Sequence, residues 1–86
     1  MMKLDSLQDH AIQARMALIV GSKTFDQLFS GIRFGEVEGD VLFVYARDEA
    51  SAAEIEDKFA LHISIIATGI LQREIGIVMV LPHQLA

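Results

Sequence analysis

Three histidines are the side chains of this sequence best suited to act as metal ligands or general bases near neutral pH. They are His10, His62 and His83. His10 follows Asp9, but adjacent residues of a helix do not face each other, so they form no catalytic pair. His62 interrupts a very apolar segment, which favours a histidine at the core edge or in an interface over a ligand.

Other catalytic patterns have less support. A serine or threonine nucleophile needs a base and an orienting group, and the pairs Ser30-Gly31 and Thr68-Gly69 fit helix ends better. The segment 35–39 (GEVEG) has two glutamates where a phosphate would need backbone amides and a lysine. Cysteine is absent, which excludes disulfides and thiolate zinc sites. We therefore expect a non-enzymatic protein with neither cofactor nor metal.

The acidic residues are concentrated in the middle of the chain, where eight of the twelve lie between Glu36 and Asp57. Those near the third predicted helix lack the spacing of an EF-hand. They are Asp48, Glu49, Glu54, Glu56 and Asp57. We interpret them as a solvated helix start that could also dock a basic partner, with Glu54 and Asp57 as contact residues. A net charge of −5 repels phosphate, so direct nucleic-acid binding is not expected.

Helix-start signals divide the first part of the chain. Asp5-x-x-Gln8 has the pattern of a capping box and predicts a helix over 6–20. Ser22 is the predicted cap of a short second helix over 23–30.

Strand signals follow, and the predicted order is α-α-β-β-α-β. Alternating apolar residues predict a strand from 32 onward, and apolar runs predict two more at 41–46 and 75–81. A third helix between the last two strands is predicted to end between Thr68 and Gln72, because Gly69 is unfavourable inside a helix.

The third helix is unusually apolar. Its predicted start is a capping box at Ser51-x-x-Glu54. From Leu61 to Leu71, apolar side chains point nearly all round the helix, whereas a surface helix should have a polar face. An 86-residue chain can hardly enclose such a helix. We therefore predict a homodimer that buries Leu61, Ile65 and Leu71.

Length and composition predict one domain over residues 1–86 and a cytoplasmic location. The first residues turn polar at once, without the apolar core of a signal peptide. The longest apolar run, 61–71, would span about 16 Å as a helix, whereas a bilayer core is about 30 Å thick. No membrane association is expected.

Three short patterns carry a family resemblance. They are Phe25-x-x-Leu28-Phe29-x-x-Ile32, the apolar run 41–46 and Ile55-x-Asp57-Lys58-Phe59. In this order they resemble the N-terminal interaction domain (domain I) of the bacterial replication initiator DnaA. The resemblance implies an α+β, KH-like fold with a three-stranded sheet packed against helices. It also implies a module of replication initiation or its regulation, which self-associates and binds DnaA or the replicative helicase.

The resemblance also points to contact positions. The family self-associates through an aromatic residue that would fall near Gln8. It contacts the helicase through an acidic residue at the position of Thr24 and an aromatic residue at that of Ala50. Because the residue types differ here, we expect self-association to use the third helix. The downstream motor and DNA-reading domains of an initiator are missing, so we expect a free-standing copy of the module.

Two alternative functions remain open at the level of sequence. A KH-like module would bind single-stranded nucleic acid through a GxxG loop and basic residues. The corresponding junction here is Val20-Gly21-Ser22-Lys23, with one glycine and one lysine. A small ligand-binding protein is the second alternative.

Overall fold

The chain forms three helices and a four-stranded mixed sheet. A computed structural model describes residues 1–83. The helices are α1 (Ser6–Val20), α2 (Ser22–Leu28) and α3 (Glu49–Leu71). The strands are β1 (Met2–Lys3), β2 (Arg33–Glu38), β3 (Val41–Ala46) and β4 (Ile77–Pro82). The α+β class is confirmed.

The prediction of three strands was wrong because it omitted β1. This strand has two residues, too few to produce an alternating pattern. It exists because Met2 and Lys3 pair antiparallel with Val37 and Glu36.

The helix starts show which side chains cap them. Asp5 and Gln8 form the predicted capping box, and α1 has the predicted bounds. The prediction for Ser22 was wrong: it is the first residue of α2, where no side chain caps the helix. The prediction for Ser51 was also wrong, because its backbone N–H donates to Asp48, the N-cap of α3, at 2.8 Å. A carboxylate three residues earlier already satisfies that N–H.

The sheet has the order β1-β2-β3-β4. Its first three strands are antiparallel neighbours, whereas β3 and β4 are parallel. Parallel neighbours require a long crossover, and α3 provides it. The ladder between β2 and β3 shifts its register between Phe34 and Glu36, where Gly35 is the extra residue.

The core lies between the helices and one face of this sheet. Phe29 is fully buried between two other aromatic rings, with ring centroids 5.4 Å from Phe25 and 5.6 Å from Phe59. The largest fully buried side chains come from both layers: Ile12, Met16, Phe29, Phe34, Val37, Leu42, Val44, Ile55 and Ile63. The opposite face of the sheet carries no helix within residues 1–83.

Candidate protein-interaction surface

A groove of about 450 Å³ lies between α2 and the first turns of α3. It brings together three of the predicted contact residues, Thr24, Ala50 and Glu54. Its other lining residues are Gln27, Leu28, Arg47, Ser51, Lys58 and Phe59. Hydroxyl, amide and charged groups of both signs therefore surround a small apolar floor.

Arg47 fixes the base of this groove. Its guanidinium donates to the Gln27 carbonyl at 3.1 Å and to the Ser51 hydroxyl at 3.0 Å. A third hydrogen bond, of 3.2 Å, reaches the Asp48 carboxylate. These bonds join the end of α2 to the start of α3, so Arg47 sets the distance between the two walls. Sequence reasoning missed Arg47, although a cation beside an N-cap aspartate is a signal for such a role.

The Asp48 carboxylate accepts hydrogen bonds from both Arg47 and Ser51 at the start of α3. Hydrogen bonds from the backbone and then the side chain of Ser51, followed by one from Arg47, lower the pKa of Asp48. The anionic form therefore caps α3, where the helix dipole also favours negative charge.

An exposed stripe continues from the groove along α3. We call Glu54, Lys58, Leu61 and Ile65 the α3 stripe; their spacing of four, three and four residues places them on one side of the helix. Leu61 is 70% exposed and Ile65 is 64% exposed. Lys58 Nζ lies 3.2 Å from a Glu54 carboxylate oxygen, and both residues also line the groove. The groove and the α3 stripe are therefore one continuous surface.

This surface contains five of the seven predicted contact residues, and a sixth, Asp57, borders it. Asp57 is exposed and stands four residues before Leu61, on the neighbouring side of the α3 stripe. Leu71 is the exception, because it is half-buried and packs against the core. Of the predicted dimer residues, Leu61 and Ile65 are thus on the surface, whereas Leu71 contributes to the core packing.

The acidic residues near α3 do not act as one group. The Glu56 carboxylate accepts the Val80 N–H at 3.0 Å and so caps a backbone group of β4. Glu54 is paired with Lys58, and Asp48 caps its helix. Within residues 1–83, no three histidine or carboxylate side chains converge in a way that could hold a metal ion.

The histidines and the helix junction bear on the alternative functions. His62 is exposed, and its ring centroid lies 6.2 Å from that of Phe59. The ring centroid of His83 lies 6.3 Å from that of Tyr45.

Only Gly21 separates α1 from α2, with a φ of 86°. This junction has one glycine, whereas the loop with which a KH domain clamps a nucleic-acid backbone has the pattern GxxG.

Sequence reasoning also missed the outer face of the sheet. Its apolar side chains lie on β3 and β4; we call them the open sheet face: Val41, Phe43, Tyr45, Ile77, Met79 and Leu81. The signal was the apolar run 41–46, which is apolar on both alternations and predicts a strand covered on both sides. Within residues 1–83, helices cover only one of those sides.

Comparison with known protein families and with curated proteins finds no match for this chain. In the part of the chain that the structure describes, no helix has the length and apolarity needed to cross a membrane.

Proposed function

We propose that this protein is a non-enzymatic protein-interaction module that acts in the initiation of DNA replication or in its regulation. It associates with itself and binds an initiator, helicase or loader protein. A KH-like architecture related to domain I of DnaA is part of this proposal, and the resemblance of the sequence supports it.

The observation that carries the proposal is the pair of exposed aliphatic side chains on α3. Leu61 and Ile65 lie one helical turn apart, more than 60% exposed, at the end of a polar groove. Apolar side chains beside polar ones are typical of the anchor and rim of a protein interface. A partner that covered the α3 stripe would remove both side chains from water.

The groove supports the choice of partner. The resemblance implies that Thr24 and Ala50 correspond to the helicase contacts of the DnaA family, and both residues line the same groove. Their small side chains leave a concave site in place of the charged and aromatic contacts of the family. A replication protein that inserts a side chain of its own into this groove is the partner that fits.

Binding of purified initiator, replicative helicase and helicase loader from the same organism to the immobilised full-length chain tests the proposal. We expect one of them to bind with micromolar affinity. The double substitution Leu61→Ser and Ile65→Ser should weaken this binding at least tenfold, because it removes the apolar anchor.

The matched control is the double substitution Leu7→Ser and Leu18→Ser on α1, where the two leucines are 78% and 82% exposed. It removes similar apolar surface elsewhere and should leave binding unchanged. Binding to none of the three proteins at high micromolar concentration would overturn the proposed function. Equal weakening by both double variants would overturn the assignment of the α3 stripe.

A further inference from the structure

The open sheet face is an ordered apolar surface away from the α3 stripe. Its six side chains form three lateral pairs across β3 and β4: Val41 with Ile77, Phe43 with Met79, and Tyr45 with Leu81. On β4, Ile77 is 51% exposed, Met79 41% and Leu81 37%. Contiguous apolar patches on a protein surface are often functional.

Charge is distributed unequally along this face. At one end stand Glu38, which pairs with Val41, and Asp40 in the adjoining turn. At the other end, Arg33 pairs with Tyr45, and its guanidinium carbon lies 4.7 Å from the Tyr45 ring centroid. We call these the acidic end and the basic end of the face; Glu36, which pairs with Phe43 and accepts a hydrogen bond from the Tyr45 hydroxyl, lies between them on the same side of the sheet.

The two ends of the face also differ in shape. The basic end contains a cleft of about 400 Å³. Its lining residues are Arg33, Tyr45, Leu81, Pro82 and His83. The acidic end instead carries Ile77, the most exposed apolar side chain on β4. One end thus has a projecting side chain, and the other has a recess.

We infer that the open sheet face docks a second copy of this chain, through a two-fold axis perpendicular to the strands. Such an axis reverses the strands of one copy over those of the other, so each end faces the opposite end of its partner. Glu38 of each copy then meets Arg33 of the other, and Ile77 meets the cleft. Each contact occurs twice, as a self-complementary interface requires.

The free edge of β4 does not offer an alternative route to self-association. The backbone N–H groups of Ile77 and His83 donate to carbonyls on the side of β3. Because backbone groups alternate in direction along a strand, those of Val78, Val80 and Pro82 point to the free edge. Glu56 already accepts the Val80 N–H, and Pro82 has no N–H. The outer edge therefore has few donors for a further strand.

The size of the face predicts a weak dimer. Six-residue strands rise about 3.3 Å per residue and neighbouring strands lie about 4.8 Å apart, so the face together with β2, which carries Arg33 and Glu38, measures about 20 by 15 Å. This footprint falls below the roughly 800 Å² per partner of a stable interface. A charge of −5 on each copy adds long-range repulsion. We therefore expect dissociation in the high micromolar range and stronger association when moderate salt screens that repulsion.

Sedimentation equilibrium of the full chain, from micromolar to about millimolar concentration, tests this inference. Arg33→Glu and Glu38→Arg should each weaken the dimer about tenfold, because each converts two attractive contacts into repulsive ones. The double variant Arg33→Glu with Glu38→Arg should restore the wild-type dissociation constant. Ile77→Lys, at an exposed position that the fold does not need, should abolish the dimer independently.

The control variant is Leu18→Lys on α1, at a position that is 82% exposed and outside both surfaces, which should leave the dimer intact. A chain that stays monomeric up to millimolar concentration would refute the inference. It would also be refuted by a dimer that Leu61→Lys dissociates and Ile77→Lys does not, which would place the interface on α3. Failure of the double charge swap to restore association would refute the antiparallel two-fold arrangement. This inference rests on the self-association that the proposed function includes. None of these outcomes depends on binding of a replication protein, so the inference can fail while that binding stands.

Discussion

One substitution, glycine to alanine, should have opposite effects at two positions of this fold. Gly69 lies in α3, two residues before its end, and is exposed. A Cβ added there would meet no atom within 4 Å. Gly35 is buried in β2, and a Cβ added there would lie 2.6 Å from Cε2 and 3.1 Å from Cδ2 of Tyr45.

The magnitudes follow from these surroundings. Gly69→Ala should raise the free energy of unfolding by about 0.5–1 kcal/mol, because alanine loses less backbone freedom in a helix. For a domain of this size, that is an increase in Tm of about 2–8 °C. Gly35→Ala should cost about 1–3 kcal/mol, since the added methyl group overpacks the site.

The Tyr45 ring has little freedom to avoid this clash. Its hydroxyl donates to the Glu36 carboxylate, and the Arg33 guanidinium stacks on its face. Moving the ring would break both contacts, so the cost of the added methyl group cannot be relieved by a simple rotation.

Thermal and urea unfolding, followed by circular dichroism at low micromolar concentration, measure both effects. Tyr45 is the only tyrosine and the chain has no tryptophan, so near-ultraviolet signals report the ring directly. The double variant should show the sum of the two single effects, because the sites share no partner. A lower Tm for Gly69→Ala, or an unchanged Tm for Gly35→Ala, would contradict the reasoning.

Two further predictions concern pH. The hydrogen bond to Glu36, then burial and the Glu36 charge, raise the pKa of Tyr45 above 10.0, so its ultraviolet titration midpoint should fall toward that value in Glu36→Ala. The stability that this bond contributes is complete below pH 10 and is lost as the pH rises through the raised pKa. The lowered pKa of Asp48 has the opposite effect on the pH dependence of stability. The stability that its carboxylate contributes is present above pH 3.8 and is lost as the pH falls through the lowered pKa. Asparagine can still cap the helix but does not titrate, so Asp48→Asn should reduce the loss of stability below pH 3.8 in acid unfolding. An unchanged acid-unfolding curve would show that Asp48 is not the source of that loss.

Local signals predicted most elements because the forces that define them act over a few residues. The capping box at Asp5, the bounds of α1 and the run 41–46 all depend on neighbours in sequence. The end of α3 at Leu71 falls within the predicted range from Thr68 to Gln72, whereas the helix begins at Glu49, before the predicted cap at Ser51. The error at Ser51 arose because Asp48 competes for the same cap, whereas α2 begins one residue earlier than predicted, after Gly21, which has no side chain.

The candidate surface was predictable only in part. The exposed stripe on α3 followed from an apolar helix with no polar face, and Glu54, Leu61 and Ile65 do lie on one side of it. That Thr24 and Ala50 line one groove with Glu54 could not be read from the sequence. Their proximity depends on how α2 packs against α3, and Arg47 fixes that distance.

By itself, the sequence determined the class of the fold, the helix and strand order of its long elements, and an excess of apolar surface. Apolar periodicity and turn residues encode these properties locally. Tertiary structure alone decided where the excess lies. The helices cover one face of the sheet and leave Ile77, Met79 and Leu81 on the other, while Leu71 turns partly into the core. The physical reason is that burial depends on which surfaces the chain brings together, and a strand that is apolar on both faces does not specify which face will be covered.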